Sequence, residues 1–114
     1  MPFTGKEGAA IPIEEARQMI AEYEQHCGPD DRRSHFVGRQ VLDEVLALED
    51  CVGLRIFHAE RDGQRELVIV GEDDAGKLML PNEGELKTKA SGQSGTRQVV
   101  DMLRACPPQC NESL

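Results

Sequence analysis

Aromatic residues are scarce in this chain of 114 residues, and tryptophan is absent. The aromatic side chains are Phe3, Tyr23, Phe36 and Phe57. A single domain of this length removes roughly two-thirds of its unfolded surface from water. With so few aromatic rings to bury, that surface must be mostly aliphatic. We therefore expect one domain, spanning residues 1–114, with a modest aliphatic core.

Long hydrophobic runs are also absent. The longest unbroken apolar run covers residues 67–70, whereas a transmembrane helix needs about 20 apolar residues. Residues 1–7 lack the apolar segment of a secretory signal. The sequence therefore predicts a cytoplasmic location without membrane attachment, where cysteine thiols stay reduced.

Positive charge is in deficit, because 13 lysines and arginines oppose 21 acidic residues, for a net charge of −8. Such a chain repels the phosphates of nucleic acids and the surfaces of anionic membranes. The densest basic run is Arg32-Arg33, which we interpret as part of a solvated loop. These features disfavour nucleic-acid and membrane partners, while a protein partner or a homo-oligomer stays open.

The common catalytic motifs are missing as well. The chain has no dinucleotide-binding or Walker glycine loop, no Gly-x-Ser-x-Gly and no His-Glu-x-x-His. The acidic turn at residues 72–74 lacks the ligand spacing of an EF-hand. A non-catalytic role is therefore favoured, and a small enzyme with an unrecognised site stays open as an alternative.

Apolar residues recur at helical spacing in two stretches, which predict two helices with one apolar stripe each. The first follows Pro12, a residue that a first helical turn tolerates, and stops at Gly28. The second begins after Gly38. The stripes contain Ile13, Ala16, Ile20, Tyr23 and Cys27 in the first helix and Val41, Leu42, Val45, Leu46 and Leu48 in the second.

Two apolar segments flank Asp62-Gly63, the strongest short signal for a type I′ hairpin. We predict strands over residues 52–60 and 65–71, a short third strand over 77–80 and a short helix after residue 96. The predicted fold class is α+β, with both N-terminal helices packed on a three-stranded antiparallel meander. Three further segments are predicted to be loosely held: an N-terminal segment at 1–10, a mobile connection at 82–95 and a Cys-containing tail at 106–114.

A two-residue loop at Asp62-Gly63 would pair Ile56 with Ile69, His58 with Leu67 and Phe57 with Val68. Both sheet faces would then be largely apolar, while the helices cover only one of them. We therefore predict that the other face contacts a partner. We call it the Phe57 face, and its members are Arg55, Phe57, Val68 and Val70.

Four cysteines could carry chemistry, and two of them form a terminal pair, Cys106-Pro107-Pro108-Gln109-Cys110. This spacing lies within the range of zinc ligand pairs, but a structural zinc needs two more ligands. The candidates for those are Cys51, Cys27, His26, His35 and His58. A redox role is the alternative, although the predicted helix would place Cys106 where the helix dipole opposes a thiolate. We interpret Cys27 and Cys51 mainly as core residues.

Three segments together resemble one group of short, uncharacterised bacterial proteins, many of them from Bacteroidetes. They are residues 48–57 (LEDCVGLRIF), 67–76 (LVIVGEDDAG) and 106–110 (CPPQC). The group shares a Cys-x-Gly-x-Arg strand, a Val-Gly-x-Asp turn and a C-terminal Cys-Pro-Pro-x-Cys. The resemblance implies no activity, but it does imply that Cys51, Arg55, Cys106 and Cys110 belong to one shared pattern.

Three hypotheses for function follow from the sequence. The first is a non-catalytic protein-interaction module, which is favoured by the missing motifs and the two-sided apolar hairpin. The second is a thiol or structural-zinc protein that uses Cys106 and Cys110. The third is a small enzyme whose site no motif reveals, so that neither a catalytic residue nor a cofactor is assigned.

Overall fold

A computed structural model describes residues 3–81, 97–101, 103–108 and 110 of the chain. These residues form an α+β arrangement of two helices and two small antiparallel sheets. The predicted fold class is therefore confirmed, whereas the predicted mobile connection at 82–95 lies outside the described residues. In chain order the elements are α1 (Ile13–Glu24), β1 (Ser34–Phe36), α2 (Arg39–Leu46), β2 (Gly53–Arg61), β3 (Gln64–Glu72), β4 (Val99–Val100) and β5 (Arg104–Cys106).

The hairpin of β2 and β3 is the largest element of the fold. Asp62 and Gly63 form its turn with φ angles of +53° and +79°, and a type I′ turn requires positive φ at both positions. The register pairs Ile56 with Ile69, Phe57 with Val68 and His58 with Leu67. The predicted turn and register are both confirmed.

The third strand of the sheet is not the predicted one. Strand β4 pairs with β3 through Ile69–Val100 and Val70–Val99, which gives the order β2-β3-β4. Residues 77–80 form only an isolated bridge between Glu72 and Leu78. The Asp73 carboxylate accepts the N–H of both Ala75 and Lys77, at 3.0 and 2.8 Å. It thereby holds this segment in a turn, and the distant residues 99–100 pair with β3 instead.

The predicted C-terminal helix is wrong over the described residues, where Val99–Val100 and Arg104–Cys106 are strands. Strand β5 pairs with β1 to form a second sheet. Helical spacing in so short a segment is a weak signal, and β-branched residues such as Val99 and Val100 favour strands. Sheet partners elsewhere in the chain decide the conformation, because they satisfy the backbone hydrogen bonds of these residues.

The core lies between α2 and one face of the three-stranded sheet. Val45 of α2 is 1% exposed and packs with Ile69 and Val100, which are also buried. Gly71 permits the close approach, since a Cβ atom there would lie 2.9 Å from Val45 Cγ1. The prediction that the second helix packs on the sheet is confirmed.

The first helix begins after Pro12 as predicted, but it ends at Glu24, before the predicted stop at Gly28, and it does not pack as predicted. It runs from Ile13 to Glu24 after the N-cap Pro12, and none of its residues is buried. The guanidinium of Arg65 lies 5.8 Å from the centre of the Tyr23 ring, at the C-terminal end of the helix. The prediction that both helices pack on the sheet is therefore wrong for α1. Within the described ranges, no helix has the length and apolarity needed to cross a membrane.

Candidate functional site

The one buried charged residue of the described chain is Glu72, at the end of β3. The register pairs Gly53 with Glu72 and Arg55 with Val70, so the side chains of Arg55 and Glu72 lie on the same face. Arg55 binds Glu72 with both arms of its guanidinium, Nε to Oε1 at 2.5 Å and Nη2 to Oε2 at 2.8 Å. Such bidentate pairs fix both side chains in one geometry.

Electrostatics in this pair favour the charged form of both groups. The hydrogen bonds from Arg55 hold the pKa of Glu72 below its ordinary value of 4.5. The same contact raises the pKa of Arg55. Since a general acid or base needs a pKa near the working pH, Glu72 is suited to hold Arg55 and not to transfer protons near neutrality.

The N-terminal segment lies against this ion pair. The Phe3 ring centre is 5.3 Å from the Arg55 guanidinium carbon, within the range of a cation–π contact. The Phe3 N–H donates to the Asp74 carbonyl at 3.2 Å. Gly76, with φ of +85°, makes room for the ring, since a Cβ there would lie 3.0 Å from Phe3 Cε2.

A local turn stabilises the same segment. The Glu7 carboxylate accepts the N–H groups of Thr4 and Gly5 at 2.8 and 2.9 Å. These hydrogen bonds, the Thr4 bond first, lower the pKa of Glu7. Between this turn and the sheet lies an open cleft of about 330 Å³, whose lining includes Phe3, Glu7, Val52, Arg55, Glu72 and Asp73.

The predicted partner surface is only partly accessible. The register places Arg55, Phe57, Val68 and Val70 on one face, as expected. Phe57 is 42% exposed, but Val70 is buried, and the Arg55 guanidinium is bound to Glu72. The neighbour of Val70 on β4, Val99, is 46% exposed. The accessible apolar part of the Phe57 face is therefore smaller than predicted.

The terminal cysteines, Cys106 and Cys110, are joined by a disulfide with Cα atoms 4.8 Å apart. Cys106 ends a strand and not the predicted helix, and its carbonyl accepts the Arg33 N–H at 2.6 Å. The helix-dipole argument against a thiolate at this position therefore no longer applies. In the oxidised form neither sulfur is a thiolate that could bind a metal.

The other predicted metal ligands lie in different surroundings. Cys27 and Cys51 are free and half-buried. Cys27 Sγ lies 3.6 Å from the Tyr23 carbonyl, whereas Cys51 Sγ lies 3.3 Å from the Gly53 carbonyl and packs against the core. The backbone N–H of His26 donates to the Tyr23 carbonyl at 3.0 Å. Within the described ranges, no three His, Cys, Asp or Glu residues are grouped as metal ligands would be.

The sequence did not predict the role of Arg32, which we interpreted as solvated. The structure pairs Arg32 with Glu66 at 2.8 Å, with both side chains largely buried. His35 Nε2 lies 3.2 Å from the Arg65 carbonyl. These contacts tie the segment after α1 to the hairpin turn, beside an open cleft of about 440 Å³ lined by Asp31, Arg32, His58, Glu60 and Arg65 among others. No local sequence signal distinguishes such a distant ion pair from a solvated charge.

Helix α1 has several exposed apolar side chains on one face. We call it the α1 stripe: Ile13, Ala16, Met19, Ile20 and Tyr23. Four of these five side chains are large, and between 39% and 59% of each is exposed. The sequence predicted an apolar stripe of Ile13, Ala16, Ile20, Tyr23 and Cys27 on this helix, without Met19. Only the packing reveals that the sheet does not cover this face.

The chain was also compared with known proteins. No family model, no curated protein and no solved structure matches it.

Proposed function

We propose that this chain is a non-catalytic protein-interaction module and that the α1 stripe is its docking surface. The observation that carries the proposal is a helix of 12 residues without a single buried residue and without a side-chain hydrogen bond at its N-cap. Isolated helices shorter than about 12–15 residues are marginal in water. Most helices of this length depend on packing of their apolar face, and in α1 that face is exposed.

The energetics of docking support the same conclusion. Complete burial of a large aliphatic or methionine side chain contributes roughly 1.5–3 kcal/mol. In the folded chain, the exposed fraction of the residue is 48% for Ile13, 59% for Met19 and 40% for Ile20. A partner that covered them would therefore recover on the order of 1 kcal/mol per side chain, besides stabilising the helix itself. The Phe57 face offers less, because Val70 is already buried and Arg55 is already paired.

Site-specific photo-crosslinking in cells that express the whole chain tests this proposal. A benzophenone amino acid placed at Met19 should give an adduct of one discrete mass. The same probe at Gln18, which is exposed but lies outside the α1 stripe, should not give it. Ile13→Asp should abolish the Met19 adduct. Equal adducts from both positions, or no adduct from Met19, would contradict a docking role for this surface.

A second candidate function rests on the disulfide between Cys106 and Cys110. Cys110 is exposed, and an accessible disulfide is open to exchange with a thiolate such as that of glutathione. On reduction the pair would supply two of the four thiolate or imidazole ligands of a structural zinc, with the others drawn from Cys51, Cys27 and His26.

Two measurements test this candidate. Maleimide labelling after equilibration in glutathione buffers should show the pair switching as one two-electron couple. Zinc analysis of protein reduced and purified without chelator should give a near-stoichiometric metal content if the site is structural. Less than about a tenth of an equivalent of zinc, together with a Cys106–Cys110 disulfide that stays intact in reducing buffer, would rule out this second function.

A further inference from the structure

We infer that the partner of the α1 stripe is a protein surface with an apolar groove flanked by lysine or arginine side chains. This inference rests on the proposed function, and it specifies the chemistry of the partner. It follows from the charges that border the exposed stripe and from the packing that leaves it uncovered.

The helix is strongly acidic. Residues 13–24 contain Glu14, Glu15, Glu22 and Glu24 but only one cation, Arg17. Arg17 is already paired with Glu14 at 2.9 Å on the helix surface. Consequently α1 presents a net charge of −3, from four carboxylates and one guanidinium.

The acidic residues lie where a partner would contact the rim of the stripe. At 100° per residue, Glu15 and Glu22 fall near Met19 on one border, whereas Glu24 falls beside Ile13 on the other border, together with Arg17. The three glutamates are exposed. Among the described residues, Arg65 of β3 also approaches the helix, beside the Tyr23 ring. Arg65 and Arg17 therefore offset negative charge at the C-terminal end and on the Ile13 border, whereas the Met19 border, with Glu15 and Glu22, remains negative.

A second copy of the chain fits this surface poorly. Pairing one α1 stripe with another would bring the acidic rims of both helices together, and like charges across such a seam are destabilising. The net charge of −8 on each chain adds long-range repulsion. A groove with a basic flank meets the acidic Met19 border, with Glu15 and Glu22, by attraction, and salt should weaken that attraction.

A matched pair of synthetic peptides tests this chemistry on the whole chain. Both are 21-residue helical peptides with leucine at positions a and d, and they differ by lysine or glutamate at e and g. In fluorescence anisotropy the lysine peptide should bind at least tenfold more tightly than the glutamate peptide at about 50 mM salt. That ratio should fall severalfold at about 500 mM salt.

Two aspartate variants separate stripe binding from non-specific attraction. Ile20→Asp and Phe36→Asp each add one negative charge at an exposed apolar residue, on α1 and on β1. Ile20→Asp should weaken the lysine peptide at least tenfold, whereas Phe36→Asp should leave its binding unchanged. Circular dichroism of both variants checks that the loss of binding does not come from loss of the helix, and the Ile20→Asp variant should keep the helical signal of the parent, because Ile20 lies outside the buried core.

The rim itself is tested by neutralisation. The double variant Glu15→Gln/Glu22→Gln should bring the preference for the lysine peptide down severalfold without changing the unfolding midpoint. Equal binding of the two peptides, or equal binding by the Ile20→Asp and Phe36→Asp variants, would overturn the inferred chemistry. If one of these peptide results were found while the probe at Met19 still gave its discrete adduct, the α1 stripe would remain a docking surface, and only the basic chemistry of its partner would be wrong. A Met19 adduct at twice the chain mass of 12.6 kDa would also overturn the basic partner, in favour of a second copy.

Discussion

Glu72 shows how a single side chain connects the two strands of the hairpin with the N-terminal segment. It is 6% exposed and accepts both arms of Arg55, whose guanidinium in turn lies against the Phe3 ring. Removing one partner from such a pair leaves the other charge poorly solvated. The ion pair therefore contributes to stability only while the carboxylate is ionised.

The stability of the chain should depend on pH through this residue. The pKa of folded Glu72 lies below 4.5, so the folded state binds fewer protons than the unfolded state in that range. Its contribution is complete above about pH 4.5 and is lost as the pH falls through the lowered folded pKa. In urea unfolding, Glu72→Gln should be less stable than the parent at pH 7, and this difference should shrink as the pH falls below 4.5.

An Arg55→Met background provides the control for that measurement. In this background, the Arg55→Met variant and the Arg55→Met/Glu72→Gln variant should show no stability difference that shrinks as the pH falls below 4.5, because the guanidinium that lowers the pKa of Glu72 is absent. Glu7 contributes in the same direction, because hydrogen bonds also lower its pKa. Some loss of stability in acid will therefore remain in every variant. If this pH-dependent difference persisted at full size without Arg55, the ion pair would not be its cause.

Gly71 lies so close to the core that a side chain there would collide with its neighbours. A Cβ atom at this position would lie 2.9 Å from Val45 Cγ1 and 3.1 Å from Cys51 Sγ. Gly71→Ala should therefore overpack the core and lower the free energy of unfolding by about 1–3 kcal/mol. Gly53→Ala is the matched control on the neighbouring strand, since nothing lies within 4 Å of its Cβ position. A Gly71→Ala variant as stable as Gly53→Ala would contradict this packing.

At the scale of elements, the two helices have opposite relations to the sheet. Helix α2 inserts Val45 into the core beside Ile69, whereas α1 has no buried residue at all. Both helices have apolar residues on one face in the sequence. Helix α2 contacts the sheet through Val45, whereas the segment after α1 is joined to the hairpin through the ion pair of Arg32 with Glu66.

Alanine substitutions should reveal this difference. Val45→Ala removes two buried methyl groups and leaves a cavity, so the free energy of unfolding should fall by about 2–3 kcal/mol. Ile20→Ala on α1, where the residue is 40% exposed, should lower it by only about 1 kcal/mol. Chemical denaturation of both variants measures the contrast. A large loss for Ile20→Ala would mean that α1 is part of the core in solution.

At the scale of the whole molecule, the disulfide closes a loop within the C-terminal tail. Its cysteines are only four positions apart, so the bond connects no two distant parts of the fold. The contact that joins this region to the rest is the pairing of β5 with β1, including the bond from the Arg33 N–H to the Cys106 carbonyl. That pairing does not require the sulfur–sulfur bond.

Loss of the disulfide should therefore be tolerated. Chain-entropy arguments for a loop this short give a stabilisation of at most about 2 kcal/mol. The double variant Cys106→Ser/Cys110→Ser should unfold with a free energy lower by no more than that amount, as measured by urea denaturation. Reduction of the parent should have the same effect, while Cys27→Ser, which leaves the bond intact, should not remove the sensitivity to reductant. Complete unfolding on reduction would contradict this assignment.

The sequence predicted the parts of this fold that short-range chemistry controls. Asp62 and Gly63 adopt the positive φ angles that a two-residue loop requires, and the loop then sets the hairpin register. Pro12 marks the start of α1 because the first helical turn needs no N–H there. Of the candidate site, sequence reasoning found Arg55 and the terminal cysteines, but it missed the Glu72 partner and the exposure of α1.

What the sequence alone determined is the hairpin, where both helices begin and the α+β class, since each depends on residues close together in the chain. Only the tertiary structure decided that residues 99–100 and 104–106 are strands, because their partners, β3 and β1, lie far away in sequence. It also decided which apolar stripe is buried. Periodicity gives each helix an apolar face, but whether another surface covers that face depends on contacts between distant segments.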